Sequence, residues 1–568
     1  MPDTPWDLYA APDKKPAFLD FLHSDWVNEQ MNLLAPRERI AQLIHVASWS
    51  NRGEEHLQDR LRLIDQYGIG GVIFFQGDPL SQARMTNAYQ AASKVPMLIS
   101  IDAEWGLAMR LDDTIQYPYQ MSMGALDDLS LIYAMGQQMA QQCRRLGLQV
   151  NFAPVVDINT EAKNPVIGFR AFGSDPEEVS KRAYAYMAGM QDGGVLAVAK
   201  HFPGHGDTDL DSHFDLPTLP HDEARMEAVE LVPYRKLIQK GLGSVMTGHL
   251  QVPIWDERPL RGATLSAGIT TEILIKRLGF EGLVFTDALD MKAAANHFPH
   301  GEVDAEALLA GNDVMLFTVD VAKALTSIEQ AISEGRITQE EIDRRCRKLL
   351  ALKQWTGLDQ YAPIKLAGLV EELNTAESKA LRARMAEEMI SIPNGPSSLP
   401  AMHLQAATLS LLAAPIEGTE LAHHQLNKGA ASGATVELQL WQQLLSEKTA
   451  QNFTYQIQKG RLPDEAQLQQ WAASPQLWIG LHRLHIKARH QFGFTPEIAE
   501  IISWLAQRTQ VNLLLFSSPY VRDLMPTDLG VHTVIHAFQD SAFMHEAAAR
   551  LLKGEITAKG RLPVKVKA

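Results

Sequence analysis

One lysine, three histidines and three aspartates crowd the run Lys200-His201-Phe202-Pro203-Gly204-His205-Gly206-Asp207-Thr208-Asp209-Leu210-Asp211-Ser212-His213. A routine connection has no need of so many ionisable groups. The apolar residues 195–199 before it read as a buried parallel strand. Pro203, Gly204 and Gly206 stop both helix and strand, so the polar groups belong to a loop at the strand's C-terminal end. Barrels and doubly wound sheets keep their chemistry there. Other apolar runs end similarly: one in Asp102-Ala103-Glu104, one in Met246-Thr247-Gly248-His249, one in Phe285-Thr286-Asp287, while another leads through Asp157 to Arg170.

A carboxylate placed directly after a strand, as Asp287 is, is held rigidly and suits nucleophilic attack. Glycoside cleavage needs such a carboxylate and a proton donor on the other face of the bond. His213, two residues beyond Asp211, can be held and kept basic by it, and a glycine-bearing loop lets the donor swing in after substrate binds. Plainer roles stay open. Asp287 could cap a following helix, Asp102 and Glu104 could belong to a structural ion-pair network, and His249 could be a satisfied buried histidine. His201, His205 and His213 could also hold a metal, but Pro203 and Gly204 rule out helical ligand spacing, and the first strand carries His45 without a His-x-His. The expectation is therefore no metal and no cofactor.

Eight short apolar runs supply the frame: 43–47, 71–75, 97–101, 152–158, 195–199, 244–250, 282–286 and 314–318. Helical patterns separate them, among them 129–146, 176–192, 222–240 and 271–278. Strand and helix alternating eight times predict a (β/α)8 barrel; no Gly-x-Gly-x-x-Gly after the first strand supports the competing open sheet. Helices at 321–334 and 338–355 close it, and 371–391 reads as one long connecting helix. The run 393–400 is a linker, and strands at 408–413, 435–440, 477–481, 511–516 and 533–538 predict a smaller α/β/α sandwich. The expected division is a catalytic barrel over 1–360, a connection over 361–400 and a second domain over 401–568.

With 568 residues the chain exceeds what one core supports. A formal charge of −15 argues against nucleic acid as partner and for a small uncharged substrate. Cys143 and Cys346, too distant in sequence for a ligand pair, read as buried hydrophobes. No run has the ~20 apolar residues of a membrane span. The start, Met1 to Trp6, lacks the basic region and apolar core of a signal peptide, which leaves cytoplasmic and exported locations both open.

Lys200-His201-Phe202-Pro203-Gly204-His205-Gly206 with Asp211-x-His213 resembles glycoside hydrolase family 3, in its β-N-acetylglucosaminidase branch. Asp102-x-Glu104, Asn164-Pro165-Val166-Ile167-Gly168-x-Arg170, Met246-Thr247-x-His249, Ala263-Thr264-Leu265-Ser266 and Gly282-Leu283-Val284-Phe285-Thr286-Asp287 extend the resemblance in the family's order. Near the end, Gly560-Arg561-Leu562-Pro563 resembles the close of the family's second domain. The resemblance implies a retaining enzyme that removes terminal β-linked GlcNAc, with peptidoglycan fragments as the expected source. Asp287 is then the nucleophile, His213 assisted by Asp211 the acid/base, and Asp102, Arg170, Lys200 and His201 hold the sugar hydroxyls; His249 and Arg110 are candidates for the site edge. Two residues depart from the pattern. Trp105 stands where glycine is common and could reshape a pocket wall or offer a stacking face. Gly248 replaces a usual alanine, which is expected to matter little. The alternatives are a β-glucosidase or β-xylosidase with the same nucleophile, phosphorolysis, and a non-catalytic sugar-binding protein.

Overall fold

The computed structural model describes residues 6–208, 216–291, 298–393, 406–414, 441–445, 449 and 451–566. They form two compact units: 1–117, 129–164 and 176–378 in the first, and 118–128, 165–175 and 379–568 in the second.

The first unit contains eight parallel strands: β1 (Ile44–Ser48), β2 (Gly71–Phe74), β3 (Leu98–Ile101), β4 (Val150–Asn151), β5 (Leu196–Phe202), β6 (Ser244–Thr247), β7 (Leu283–Thr286) and β8 (Met315–Leu316). Each pairs with its sequence neighbours, β1 also pairs with β8, and a bridge between Phe285 and Val314 joins β7 to β8. The expected barrel is therefore nearly closed. Every strand residue is buried, as apolar strands covered on both faces must be. Helices intervene, including Pro79–Ala92, whose N-cap Asp78 accepts from the Ser81 N–H, and Pro176–Asp192, whose bounds match the sequence expectation.

Three elements differ from expectation. The fourth strand ends at Asn151, before 152–158; Pro154 within that run has no N–H to donate to a ladder, and beyond it only Val155 bridges to Lys200. The helix expected over 222–240 is broken into Glu223–Arg225, a π-helical turn Met226–Glu230, and Val232–Gln239. The long connecting helix is two, Leu369–Leu373 and Ala376–Met389; between them the Thr375 hydroxyl accepts from the Ser378 N–H and caps the second.

In the second unit five parallel strands, β9 (Ala407–Leu412), β10 (Gln451–Gln456), β11 (Gln476–His482), β12 (Gln510–Leu515) and β13 (Thr533–His536), are ordered β10-β9-β11-β12-β13. The chain thus steps from β9 to an edge and returns on the other side of β9. β10 was not foreseen from the sequence, and the strand expected over 435–440 and nearly all of the linker over 393–400 lie outside the described residues. Among the described residues no helix is long and apolar enough to cross a membrane.

Candidate active site

The pairing of β5 with β6 shifts register between Lys200 and Phe202, which makes His201 the extra residue of a bulge. Its ring turns to Asp157, whose Oδ2 accepts from Nδ1 at 2.8 Å, while Oδ1 accepts from the backbone N–H groups of His201 and His205 at 3.1 and 2.7 Å. Nδ1 is therefore the ring nitrogen that donates to the Asp157 carboxylate. Burial of Asp157 pushes its pKa upward, but His201 and the His205 side chain and N–H outweigh it, and the group lies below the usual carboxylate range. Gly206 is needed here because a Cβ would stand 1.9 Å from the Ile158 carbonyl oxygen. The His205 Nδ1 lies 2.8 Å from the Thr208 hydroxyl, and the Asn164 amide donates to the His205 carbonyl at 2.7 Å.

On the other side of β5, Lys200 Nζ lies 2.8 Å from Asp102 Oδ1 and 2.9 Å from Glu104 Oε1. Arg110, seated over the Phe75 ring, donates to Asp102 Oδ2 at 2.6 Å. The ion-pair network left open by the sequence is thus present, and it ties the ends of β3 and β5 together. Against the upward push of burial, the charges of Lys200 and Arg110 hold Asp102 well below the usual carboxylate range. Trp105 is buried at 1% exposure, so it offers no open stacking face.

The contacts continue around the strand ends. Gly248 abuts His201: a Cβ on it would lie 3.1 Å from the His201 Cβ, so this position is tighter than expected. His249, buried as the plainer reading allowed, donates from Nε2 to the Ala288 carbonyl at 2.9 Å. The next group is Asp287, half-buried at the end of β7, with Oδ1 accepting from the Ala288 N–H at 2.8 Å. Asp102, Arg110, Lys200, His201, His249 and Asp287 are therefore gathered on adjoining strand ends of one barrel. Arg170 belongs to the segment 165–175 of the second unit and donates to the Val166 carbonyl at 3.4 Å. Asp211 and His213 lie outside the described residues. Glu104 and Asp157 were in view in the sequence but had no assigned partner; both close on residues of β5. Cys143 and Cys346 are free and buried.

Residues 36–352 match the glycosyl hydrolase family 3 N-terminal domain. The chain belongs to glycosyl hydrolase family 3. Within the family it is 32% identical over 370 residues to β-hexosaminidase A of Pseudoalteromonas piscicida, an alignment that spans 60% of this chain and 61% of that one. It is also 32% identical to β-hexosaminidase LpqI of Mycobacterium tuberculosis over 56% of this chain and 83% of the relative. A solved family 3 β-N-acetylglucosaminidase from Paenibacillus sp. superposes with a TM-score of 0.75 at 30% identity, covering 94% of this chain and 99% of the other. A β-glucoside phosphorylase, 22% identical with a TM-score of 0.79 over 96% of each chain, shares the fold.

Proposed function

We propose that this protein is a retaining β-N-acetylglucosaminidase that releases terminal β-linked GlcNAc, with muropeptide fragments among its substrates. The observation that carries this reading is the row of contacts on the strand ends. It runs from Asp102 and Lys200 through His201, Gly248 and His249 to Asp287. The names of the relatives, β-hexosaminidase and β-N-acetylglucosaminidase, supply the substrate class.

Charged groups at one end of this row offer the strong hydrogen bonds that orient a neutral sugar. Asp287 at the other end attacks the anomeric carbon and forms a glycosyl-enzyme. One of its oxygens is held by the Ala288 N–H, which fixes the carboxylate for in-line approach. His213, oriented by Asp211, protonates the departing oxygen and then takes a proton from water, which attacks the anomeric carbon and releases the sugar.

Parallel assays on nitrophenyl β-GlcNAc and nitrophenyl β-glucoside test the reading, with Asp287→Asn and His213→Ala as controls. Release from the GlcNAc substrate, lost in Asp287→Asn and strongly reduced in His213→Ala, is expected. A preference for the glucoside, or a His213→Ala variant with unchanged rate, would overturn it. Sugar phosphate formed in phosphate buffer would assign phosphorolysis instead.

A further inference from the structure

A group of metal-ligating side chains in the second unit takes no part in the chemistry above. His482 ends β11, Asp540 follows β13, and His545 lies in the first turn of the helix Ala542–Leu552. Asp540 Oδ1 is 2.7 Å from His545 Nε2 and 3.5 Å from His482 Nδ1, and the three ligand atoms lie within 4.8 Å of one another. Donors on a tetrahedral zinc ion, each about 2.0–2.1 Å from the metal, are roughly 3.4 Å apart. The His482–Asp540 spacing already matches that triangle, and the Asp540–His545 pair would open by roughly 0.7 Å.

The surroundings suit an ion better than a closed hydrogen-bond network. Open parallel sheets bind ligands beyond the C-terminal strand ends where the strand order reverses, and here that is between β9 and β11. His482 is the last residue of β11. Asp540 Oδ2 is held by the Arg483 backbone N–H at 2.6 Å, which turns Oδ1 towards the two rings, as an outer contact does for a ligating carboxylate. His482 Nε2 has no hydrogen-bond partner among the described residues, so the ring is oriented by what it offers at Nδ1. That ring stacks on Phe516 at 4.8 Å, and Phe516 and Trp441 both pack against His545. Arg483 and Phe538, flanking the group, have φ of 56° and 59°, a region non-glycine residues seldom occupy and one that clusters at functional sites. The Asp540 side chain is 24% exposed against 3% and 1% for the histidines, which gives the ion an entrance.

The structure assigns to His482, Asp540 and His545 a divalent transition-metal site of two imidazoles and one carboxylate, with a further position open to water. Zinc is the natural probe, because it accepts nitrogen and oxygen donors in tetrahedral geometry. The site is independent of the glycosidase reading.

The test is a calorimetric titration of chelator-treated full-length protein with zinc, repeated with cobalt while the visible spectrum is followed. One equivalent of zinc is expected to bind at micromolar Kd or tighter, and cobalt to give the visible bands of a tetrahedral site. Asp540→Asn and His545→Ala, checked for fold by circular dichroism, should each weaken zinc binding at least tenfold. His221→Ala, which breaks the Asp207–His221–Glu230 group of the first unit, should leave it unchanged. Equal affinity in the wild type and a folded Asp540→Asn variant would overturn the assignment. Should the variants not fold, wild-type protein with no cobalt bands and no zinc-dependent rise in Tm would overturn it as well.

Discussion

Lys200 and Glu104 meet at 2.9 Å, Nζ to Oε1, and their side chains are 2% and 0% exposed. An ion pair so far from water survives only when each charge is answered. Lys200 answers Asp102 as well, so one ammonium compensates two carboxylates.

Removing that ammonium should therefore cost more than its hydrogen bonds. Lys200→Met is expected to lower stability by about 3–5 kcal/mol, because it leaves two buried carboxylates with less compensation. Denaturant unfolding measures this. Lys200→Met combined with Glu104→Gln should recover part of the loss, since the innermost orphaned charge is gone.

Asp157→Asn isolates positioning from chemistry. An asparagine amide oxygen can still accept from the backbone N–H groups, but the charge that holds His201 is lost. The expected result is a fall in kcat/KM for nitrophenyl β-GlcNAc of about tenfold or more, the equivalent of the ~1.4 kcal/mol of one charge-assisted hydrogen bond. An unchanged kcat/KM would mean that His201 has no part in substrate handling.

Gly248→Ala presses a methyl group on the His201 Cβ and on Leu250. We expect KM for nitrophenyl β-GlcNAc to rise while the unfolding midpoint moves little, because the strain is local to the strand end. A stability loss with unchanged kinetics would show that the barrel, not His201, absorbs the contact.

Asp304 gives a pH signature. It is buried beside the Thr318 hydroxyl, and burial pushes its pKa up to about 6. A carboxyl whose folded-state pKa is raised contributes stability that is fully present below its unfolded value near 4 and lost as pH rises through about 6. Asp304→Asn should therefore unfold at a higher temperature than the wild type at pH 8, by the equivalent of about 3 kcal/mol. The gain should shrink towards pH 4. Thermal melts across that range check it.

Both thiols should be inert in the native state. Burial pushes Cys143 and Cys346 up to about 12, so neither supplies thiolate near pH 8. Titration with a disulfide reagent is expected to register both only after denaturant is added.

The barrel was readable because its strands are buried on both faces and so write uninterrupted apolar runs. The signal failed where that condition failed. β10 lies at the sheet edge with largely exposed or half-exposed residues, and Gln451-Asn452-Phe453-Thr454-Tyr455-Gln456 offers only two apolar side chains, too few for an apolar run. The fourth strand lies earlier than its apolar run because that run continues past Asn151, where the regular ladder ends. The residues gathered at the strand ends were legible from their positions after strands. Their pairings were not: Asp157 meets His201 only because a bulge, invisible in composition, inserts that residue into β5.

The division of the chain has a consequence for how such a protein can be taken apart. The polypeptide leaves the first unit at 118, 165 and 379, and the first two excursions return to it. Phe169 and Tyr119 on those excursions pack edge to face at 4.8 Å, and the Tyr119 N–H is bonded to Gln539 at 3.1 Å. No single cut separates the halves. A gene shortened after codon 378 would encode a barrel whose two inserted segments had lost their packing partners, with Arg170 on one of them. Loss of the distal piece would strip residues 118–128 and 165–175 of partners, so neither unit is encoded by one continuous stretch of the gene.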